Sequence, residues 1–267
     1  NRNMCIRLCV LGSGSKGNCI YVGYGNTHVL IDAGLSLRRI EKSLAALGVN
    51  IGCDNLSVLV THEHSDHVKS LDALYEKYFP AVYASAYSQT GMVAACGKDA
   101  DNFIFFDMQD FFVGEFTVTP FRASHDVPCV GYTLSAGGKS VSVVTDIGKV
   151  TPVVMKAITG SDLVVLESNH DAEMLKRNGK YSEFLKKRIL SDKGHLSNDD
   201  CAETACLLAA SGTKQIILAH LSEENNCPEL AFETVCKKLE SRGYEEGRDV
   251  KIDVAEQNAL SALYDIS

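Results

Sequence analysis

The chain lacks an excess of basic residues. Its 267 residues include 26 Lys and Arg against 34 Asp and Glu, which gives a formal net charge of −8. An acidic chain has no overall electrostatic attraction for a phosphate backbone, which disfavours a protein that coats DNA or RNA. An enzyme that holds a strand through a local basic surface is still compatible with this charge.

The ten cysteines lack the spacing of a metal or redox motif, because none forms a C-x-x-C pair. Several lie in apolar runs, where buried, reduced thiols of a cytosolic protein are the expected state. A disulfide framework is typical of much shorter secreted chains. The cysteines are Cys5, Cys9, Cys19, Cys53, Cys96, Cys129, Cys201, Cys206, Cys227 and Cys236.

The sequence also lacks a segment suited to a membrane or to secretion. The uncharged stretch Tyr78–Gly97 contains Pro80 and several polar residues, so it cannot span a bilayer. The first residues carry no apolar segment of a secretory signal, and no Pro/Ser-rich linker divides the chain. We therefore expect a cytoplasmic protein without a membrane partner, with residues 1–267 in a single domain. The oligomeric state is left open.

Strand and helix patterns occur in two groups along the chain. The predicted strands are Cys5–Leu11, Cys19–Gly23, His28–Asp32, Ser57–Val60, Phe103–Phe106, Phe111–Phe121, Val130–Ser135, Ser140–Thr145, Leu163–Glu167, Gln215–Ala219 and Val250–Val254. The predicted helices are Leu37–Leu47, Asp66–Tyr78, Ala172–Ser191, Asn198–Ser211 and Pro228–Arg242. Both groups combine strands with helices, which predicts an α/β (α+β) fold of two packed sheets with helices outside.

Residues 62–67 read His-Glu-His-Ser-Asp-His and follow a predicted strand directly. Alternate side chains of an extended segment share a side, so His62 and His64 can bind one metal ion. Asp66 and His67, on the turn into a helix, can bind a second. Three histidines and an aspartate exceed what one open catalytic site takes from a single segment, which favours two ions. A solvated polar loop is the alternative, and the complete H-x-H-x-D-H spacing disfavours it.

This spacing resembles the signature of the metallo-β-lactamase superfamily. The resemblance implies an αββα sandwich, in which two mixed β-sheets pack face to face with helices outside, and a dinuclear site at the sheet edges. It also implies further ligands at later strand ends, although each of those residues alone could be an ordinary polar strand terminus. The implied ligands are His62, His64 and His125 for the first ion, Asp66, His67 and His220 for the second, and Asp146 as the bridge.

A narrower resemblance is to the bacterial YycJ/WalJ (VicX) branch, from about residue 5 to about residue 255. Members of that branch are regarded as DNA exonucleases that act from the 5′ end. The resemblance therefore implies a phosphodiesterase that acts as an exonuclease on the 5′ end of single-stranded DNA. It is carried by the segments Leu11–Cys19, Leu30–Ser36, Val144–Thr151, Leu166–Asp171 and Gly194–Asn198.

The glycines at positions 12, 14 and 17 fit a dinucleotide-binding fingerprint, which requires a helix after the loop. A strand pattern follows instead, so a tight hairpin is the better interpretation. In it Ser13, Ser15 or Asn18 faces the substrate, or the glycines serve the backbone alone. Asp32, at the end of a strand, resembles an aspartate that orients a metal-bound histidine, and a turn or helix cap is the alternative.

Glu167 and His195 resemble a pair that handles the scissile phosphate and leaving group in the phosphodiesterase branch, which includes tRNA 3′-processing nucleases. The chain departs from those nucleases by carrying His-Leu-Ser-Asn in place of His-Ser-Thr. For His170 we expect a substrate contact. Helix caps and a surface histidine are the alternatives for the three residues.

The expected mechanism uses two divalent ions to lower the pKa of a bound water toward about 7. The catalytic residues are expected to be Asp66, Asp146, Glu167 and His195, with His195 as a proton donor to the leaving oxygen or a phosphate ligand. Zinc, manganese or iron suits nitrogen and oxygen ligands without thiolate.

Two other functions stay open at this stage. One is a hydrolase of small cyclic phosphodiesters, thioesters or lactones, and the other is a metal-binding regulator without catalysis. A basic segment between residues 176 and 193 could follow a DNA backbone, or it could be a solvated helix face.

Overall fold

The computed structural model describes residues 4–52 and 55–267, and the chain divides into two compact units. Unit 1 comprises the described residues up to Pro120 together with Leu134–Lys139 and Gln257–Ser267. Unit 2 comprises Phe121–Thr133 and Ser140–Glu256.

The described residues form strands and helices with the following bounds. The strands are β1 Ile6–Gly12, β2 Cys19–Tyr24, β3 Thr27–Ile31, β4 Leu56–Leu59, β5 Ala81–Ser85, β6 Ile104–Phe106, β7 Phe111–Val113, β8 Phe116–Ala123, β9 Cys129–Ala136, β10 Lys139–Val144, β11 Leu163–Glu167, β12 Gln215–Ala219, β13 Lys251–Val254 and β14 Tyr264–Ile266. The α-helices are α1 Leu37–Ala46, α2 Ser65–Val68, α3 Leu71–Tyr78, α4 Gln89–Cys96, α5 Pro152–Ile158, α6 Ala172–Arg177, α7 Glu183–Ile189, α8 Asn198–Ala210 and α9 Pro228–Ser241. Two short 3₁₀ helices cover Ala86–Ser88 and Gly97–Asn102.

Unit 1 contains a mixed sheet with the strand order β14-β1-β2-β3-β4-β5-β6. Strands β14, β1, β2 and β3 pair antiparallel, and β3 to β6 pair parallel. The carboxyl ends of parallel strands meet at one edge of a sheet, so the chain leaves β3 and β4 side by side. Asp32 follows β3, and the segment that starts at Val60 follows β4.

Unit 2 contains strands in the order β13-β12-β11-β10-β9, of which β10 to β13 pair parallel. The residues of β11 and β12 are almost entirely apolar and buried, as expected for central strands of a parallel sheet covered by helices. The carboxyl ends of three of these strands lead to polar residues: Asp146 after β10, Glu167 as the last residue of β11, and His220 after β12.

Two predicted helices are each broken in the structure. The predicted helix Asp66–Tyr78 is two helices, α2 and α3, because the Ser70 amide and hydroxyl donate to the carbonyls of Ala33 and Leu35, at 2.9 and 2.5 Å. The predicted helix Ala172–Ser191 is likewise α6 and α7. The prediction of long continuous helices was wrong at both places.

Other elements differ from the sequence prediction in smaller ways. The predicted strand Phe111–Phe121 is a hairpin of β7 and β8, with Gly114 in the turn at φ 54°. Strand β5 and helix α4, in the uncharged stretch, and helix α5 and strand β14 were not predicted.

No helix of the described residues is long and apolar enough to cross a membrane. Six of the nine cysteines that the structure describes are buried, as expected for cysteines in apolar runs. Cys53 lies outside the described residues.

Candidate metal centre

In unit 1 the turn that carries residues 62–67 packs between two loops of the same unit. The amides of Asn18 and Ala33 donate to the carbonyls of Asp66 and His67, each at 2.8 Å. A Cβ atom on Gly34 would lie 1.6 Å from the Asp66 carbonyl oxygen, so only glycine allows this approach. The backbone therefore fixes the histidine-rich turn against the loop after β3.

The Asp32 carboxylate is the centre of a hydrogen-bond network in this turn. Asp32 is buried, and its Oδ2 lies 2.7 Å from His67 Nδ1 and 2.8 Å from the Thr61 hydroxyl. Its Oδ1 accepts the Thr61 amide at 2.8 Å. An ionised carboxylate only accepts hydrogen bonds, so His67 carries its proton on Nδ1 and a lone pair on Nε2. The cap of α1 is Ser36, so Asp32 is not a helix cap.

Thr61 fixes the position of the ring proton on a second histidine, His62. Its hydroxyl donates to Asp32 and therefore accepts from His62 Nδ1, which lies 2.9 Å away. The lone pair of His62 is then on Nε2, 3.0 Å from His64 Nδ1. Two nitrogen ligands of one tetrahedral ion, each at about 2.0–2.1 Å, lie about 3.3 Å apart. The spacing of the His62 and His64 nitrogens thus fits a shared metal ion.

Asn18 and Asp66 border the same histidines. Asn18 Nδ2 lies 3.1 Å from His67 Nε2 and 3.2 Å from Asp66 Oδ2, and the latter is 3.5 Å from His67 Nε2. The side-chain oxygen Oδ1 of Asn18 accepts a hydrogen bond from the Gly14 amide at 2.9 Å, which closes the loop that carries glycines 12, 14 and 17. Ser13 is buried in this loop. Strand β2 follows the loop directly, so the loop does not form a dinucleotide site.

In unit 2 the strand-end residues have an unusual backbone. Asp146 and His220 adopt the left-handed conformation, at φ 53° and φ 57°, as Asp32 of unit 1 does at φ 62°. This region costs a non-glycine residue roughly 1–3 kcal/mol, and such strain concentrates at functional sites. The strained residues are therefore polar residues that follow the buried strands.

The fully buried Glu167 joins two histidines of unit 2. Its Oε1 lies 2.8 Å from His195 Nδ1 and 2.7 Å from His220 Nδ1, and its Oε2 accepts the amides of Ile147 and Leu196 at 2.8 and 3.3 Å. Burial acts to raise the pKa of Glu167. The charges and hydrogen bonds of the two histidines outweigh burial and lower this pKa to about 2. The ionised carboxylate therefore sets a proton on Nδ1 of both rings. His220 keeps a lone pair on Nε2, 3.6 Å from Asp146 Oδ1.

His125 is held by a similar device in unit 2. Its Nδ1 lies 3.3 Å from the Gly194 carbonyl, which only accepts. Burial lowers the pKa of His125 and favours the neutral ring, although Asp146 and Asp126 act in the opposite direction. The lone pair on Nε2 then faces the carboxylates of Asp126 and Asp146, at 3.2 and 3.9 Å. A cation between such groups would relieve the repulsion of their lone pairs.

The donor set fits a divalent metal. Possible ligand atoms of Asp146, Glu167, His195 and His220 lie within 4.8 Å of one another. A metal-binding histidine usually donates its other N–H to a carboxylate or carbonyl. His67, His125 and His220 do so directly, and His62 donates to the hydroxyl of Thr61, which in turn donates to Asp32. The ligands are nitrogen and oxygen, which suits zinc, manganese or iron.

His195 belongs to this group and His170 lies near it, but the two differ in setting. His195 is partly exposed. Its burial acts to lower its pKa, but the charge and hydrogen bond of Glu167 outweigh burial, so that the pKa of His195 is raised. His170 is buried, its Nδ1 lies 3.3 Å from Asn169 Oδ1, and its Nε2 makes no hydrogen bond to the described residues. Serine and aspartate at positions 197 and 171 cap α8 and α6, so Glu167 and His195 are not caps, and His170 is not a surface residue.

Three contributors escaped the sequence analysis. Thr61 carries the link from Asp32 to His62, and Asp126 faces His125. Asn169 Nδ2 donates to the carbonyl of His220 at 2.8 Å. The only signal in the sequence is adjacency, because Thr61 and Asp126 each neighbour a histidine that the motif or the resemblance identifies.

Comparisons with known proteins identify the family of this chain. A family model described as "Beta-lactamase superfamily domain" matches residues 27–221. Exodeoxyribonuclease YycJ of Bacillus anthracis is 39% identical over 254 residues, which cover 93% of this chain and 95% of that protein. Exodeoxyribonuclease WalJ of Streptococcus pneumoniae serotype 2 is 36% identical over 263 residues, which cover 96% and 97%.

A solved structure agrees with the fold. The metallo-β-lactamase fold protein YhfI of Bacillus subtilis superimposes with a TM-score of 0.71 at 14% identity, covering 96% of this chain and 99% of that one. The αββα fold class implied by the resemblance to the metallo-β-lactamase superfamily is thereby confirmed. The two curated relatives also confirm the resemblance to the YycJ/WalJ branch.

Proposed function

This chain belongs to the beta-lactamase superfamily, in its YycJ/WalJ branch, and we propose that it is a metal-dependent phosphodiesterase that acts as an exonuclease on DNA. The observation that carries the proposal is a shared hydrogen-bond pattern of four histidines, in which Nδ1 donates and Nε2 keeps the lone pair for a metal ion. His62 donates to Thr61, His67 to Asp32, His125 to the Gly194 carbonyl and His220 to Glu167. A nuclease is favoured over other hydrolases because both relatives, matched over nearly their full length, are named exodeoxyribonucleases.

The proposed cofactors are two divalent ions, of zinc, manganese or iron. The family pattern supports His62, His64 and His125 for one ion, and Asp66, His67 and His220 for the other. Asp146 would bridge them. When bound, the ions supply an activated water and neutralise charge on the phosphoryl oxygens.

Residues of the chain itself position the substrate and can transfer a proton. Glu167 holds the His195 ring by Nδ1, so that the opposite nitrogen, Nε2, can carry a proton to the leaving oxygen or hold the phosphate. Proton transfer of this kind typically contributes about 10²–10⁴-fold. Ser13, Asn18 and His170 are proposed substrate contacts. Two observations support this: Asn18 Nδ2 lies 3.1 Å from His67 Nε2, and His170 Nε2 makes no hydrogen bond to the described residues.

Three finer features belong to the proposal. Action on the 5′ end of single-stranded DNA rests on the YycJ/WalJ resemblance. A cytoplasmic location and a single metallo-β-lactamase-fold domain over residues 1–267 rest on the sequence features described above. The near-complete coverage of the two relatives supports the single domain.

Digestion of end-labelled DNA tests the function. The manganese-loaded protein is incubated with 5′-labelled and 3′-labelled single strands, beside its Asp146→Ala variant. Short products from the 5′ label, absent with the variant, are the expected result. If both labels stay intact while bis-p-nitrophenyl phosphate is cleaved, the exonuclease proposal fails. The hydrolase of small cyclic phosphodiesters, thioesters or lactones, which the net charge of −8 favours, then takes its place. If neither substrate is cleaved, a metal-binding regulator without catalysis takes its place.

A further inference from the structure

Residues 172–193 carry a charge opposite to that of the whole chain. This segment, the α6–α7 surface, contains seven Lys and Arg against three Asp and Glu, a net charge of +4 in a chain of −8. Basic side chains concentrated on one segment of an acidic protein indicate a local attraction for an anionic partner.

Helix α7 lies on the surface without a buried residue. The Phe184 side chain is 80% exposed, and Leu190 and Met174 are exposed to 46% and 39%. An exposed phenylalanine among lysines is the arrangement that single-stranded nucleic acid prefers, because a base can stack on the ring while phosphates meet the cations.

Several cations of the surface are engaged and others are available. Lys176, Lys180, Lys186 and Arg188 pair with Glu173, Glu224, Glu183 and Asp126. Lys187 and Lys193 are exposed and have no ion-pair partner among the residues that the structure describes. Lys187 follows Phe184 by three positions on α7, so the two side chains share a face of the helix.

The α6–α7 surface adjoins the site residues of unit 2. The amide of His195 donates to the carbonyl of Ile189, the last residue of α7, at 3.0 Å. A Cβ atom on Gly194 would lie 2.1 Å from the same carbonyl oxygen, so the loop packs directly on the helix end. Arg188 pairs with Asp126, the residue next to His125. A DNA strand bound on α7 would therefore lie close to His195, which contacts the end of this helix.

We propose that the α6–α7 surface binds single-stranded DNA, with Phe184 stacked on a base and Lys187 on a phosphate. This inference rests on the proposed exonuclease function and names how that enzyme holds its substrate. Stacking and phosphate contacts do not depend on sequence, so the surface guides strands of any sequence toward the metal centre.

The test compares two substrates. Values of kcat and KM are measured for the manganese-loaded protein on a single-stranded oligothymidine and on bis-p-nitrophenyl phosphate. The variants are Phe184→Ala and Lys187→Gln. Their matched controls in unit 1 are Phe112→Ala, at a side chain 76% exposed, and Lys42→Gln, at an exposed lysine of α1.

Phe184→Ala is expected to lower kcat/KM on oligothymidine by about 5- to 100-fold, the effect of one lost stacking contact. Lys187→Gln is expected to make the dependence of log KM on log salt shallower by about 0.7, the value for one phosphate contact with a single strand. Both variants keep the activity on bis-p-nitrophenyl phosphate, and the controls keep both activities.

Each of the other possible outcomes would contradict the inference on the α6–α7 surface, the exonuclease proposal, or both. If the variants match their controls on oligothymidine while the unaltered protein degrades it, the surface is not the DNA site, and the exonuclease proposal stands. If the unaltered protein cleaves only the small diester, the exonuclease proposal fails, and this inference fails with it. A loss on both substrates would show damage to the metal centre and would also overturn the inference.

Discussion

Glu167→Gln should separate the charge of this buried residue from its shape. The two carboxylate oxygens of Glu167 each accept two hydrogen bonds, Oε1 from His195 and His220 and Oε2 from the amides of Ile147 and Leu196. A glutamine of the same size offers one accepting oxygen and one NH₂ group. The NH₂ group must therefore face a pair of donors.

Either orientation has a defined consequence. If the NH₂ group faces the amides, two buried N–H groups lose their acceptor at about 1–3 kcal/mol each, which lowers the free energy of unfolding by about 2–6 kcal/mol. The long Leu196 bond, 3.3 Å, favours the lower half of that range. If it faces the rings, His220 must move its proton to Nε2 and can no longer bind a metal there.

Two measurements follow on Glu167→Gln. Urea unfolding after metal removal reports the free energy of unfolding, and competition with a chelator reports metal affinity, which should fall about 10–100-fold. The control is Glu203→Gln, whose carboxylate forms exposed ion pairs with Lys238 and Arg242. If Glu167→Gln matches this control in both stability and metal affinity, the proton assignments of His195 and His220 are wrong.

Further outcomes are expected at four positions. Asp146→Ala should lose nearly all hydrolysis of bis-p-nitrophenyl phosphate while His195→Ala keeps a trace; equal mild losses in the two would contradict their roles. Thr61→Val should weaken metal binding about 10–100-fold in the chelator assay, since His62 loses the hydroxyl that holds its Nδ1 proton, whereas Thr61→Ser should bind normally. Burial, and then the charge of Arg7, lower the pKa of His28, so the unfolded chain takes up this proton first as the pH falls. The free energy of unfolding should therefore drop between about pH 7 and about pH 5, and drop less in His28→Gln; equal drops in urea titrations would assign the effect to other groups.

The histidine-rich turn could be predicted because its chemistry is local. His62, His64, Asp66 and His67 lie within six residues, and the alternation of an extended chain is enough to pair two of them. The later residues His125, Asp146 and His220, which are proposed as ligands, needed the family resemblance, since a single polar residue at a strand end has many uses.

The protons of the histidines could not be predicted from sequence. Asp32 reaches Thr61 across 29 positions, and Glu167 reaches His195 and His220 across 28 and 53. Nothing in the local pattern shows that one carboxylate serves two rings. The break between α2 and α3 was missed for the same reason, because Ser70 bonds to the loop after β3 and not to its own helix.

The left-handed backbone of Asp32, Asp146 and His220 has a consequence for how such a protein changes over time. Glycine at any of these positions would relieve a backbone strain of roughly 1–3 kcal/mol. At Asp32 this gain is cancelled, because the Thr61 amide and His67 would lose a buried acceptor at about 1–3 kcal/mol each. Selection for heat resistance alone would therefore favour glycine at Asp146 and His220, two of the proposed metal ligands, before glycine at Asp32.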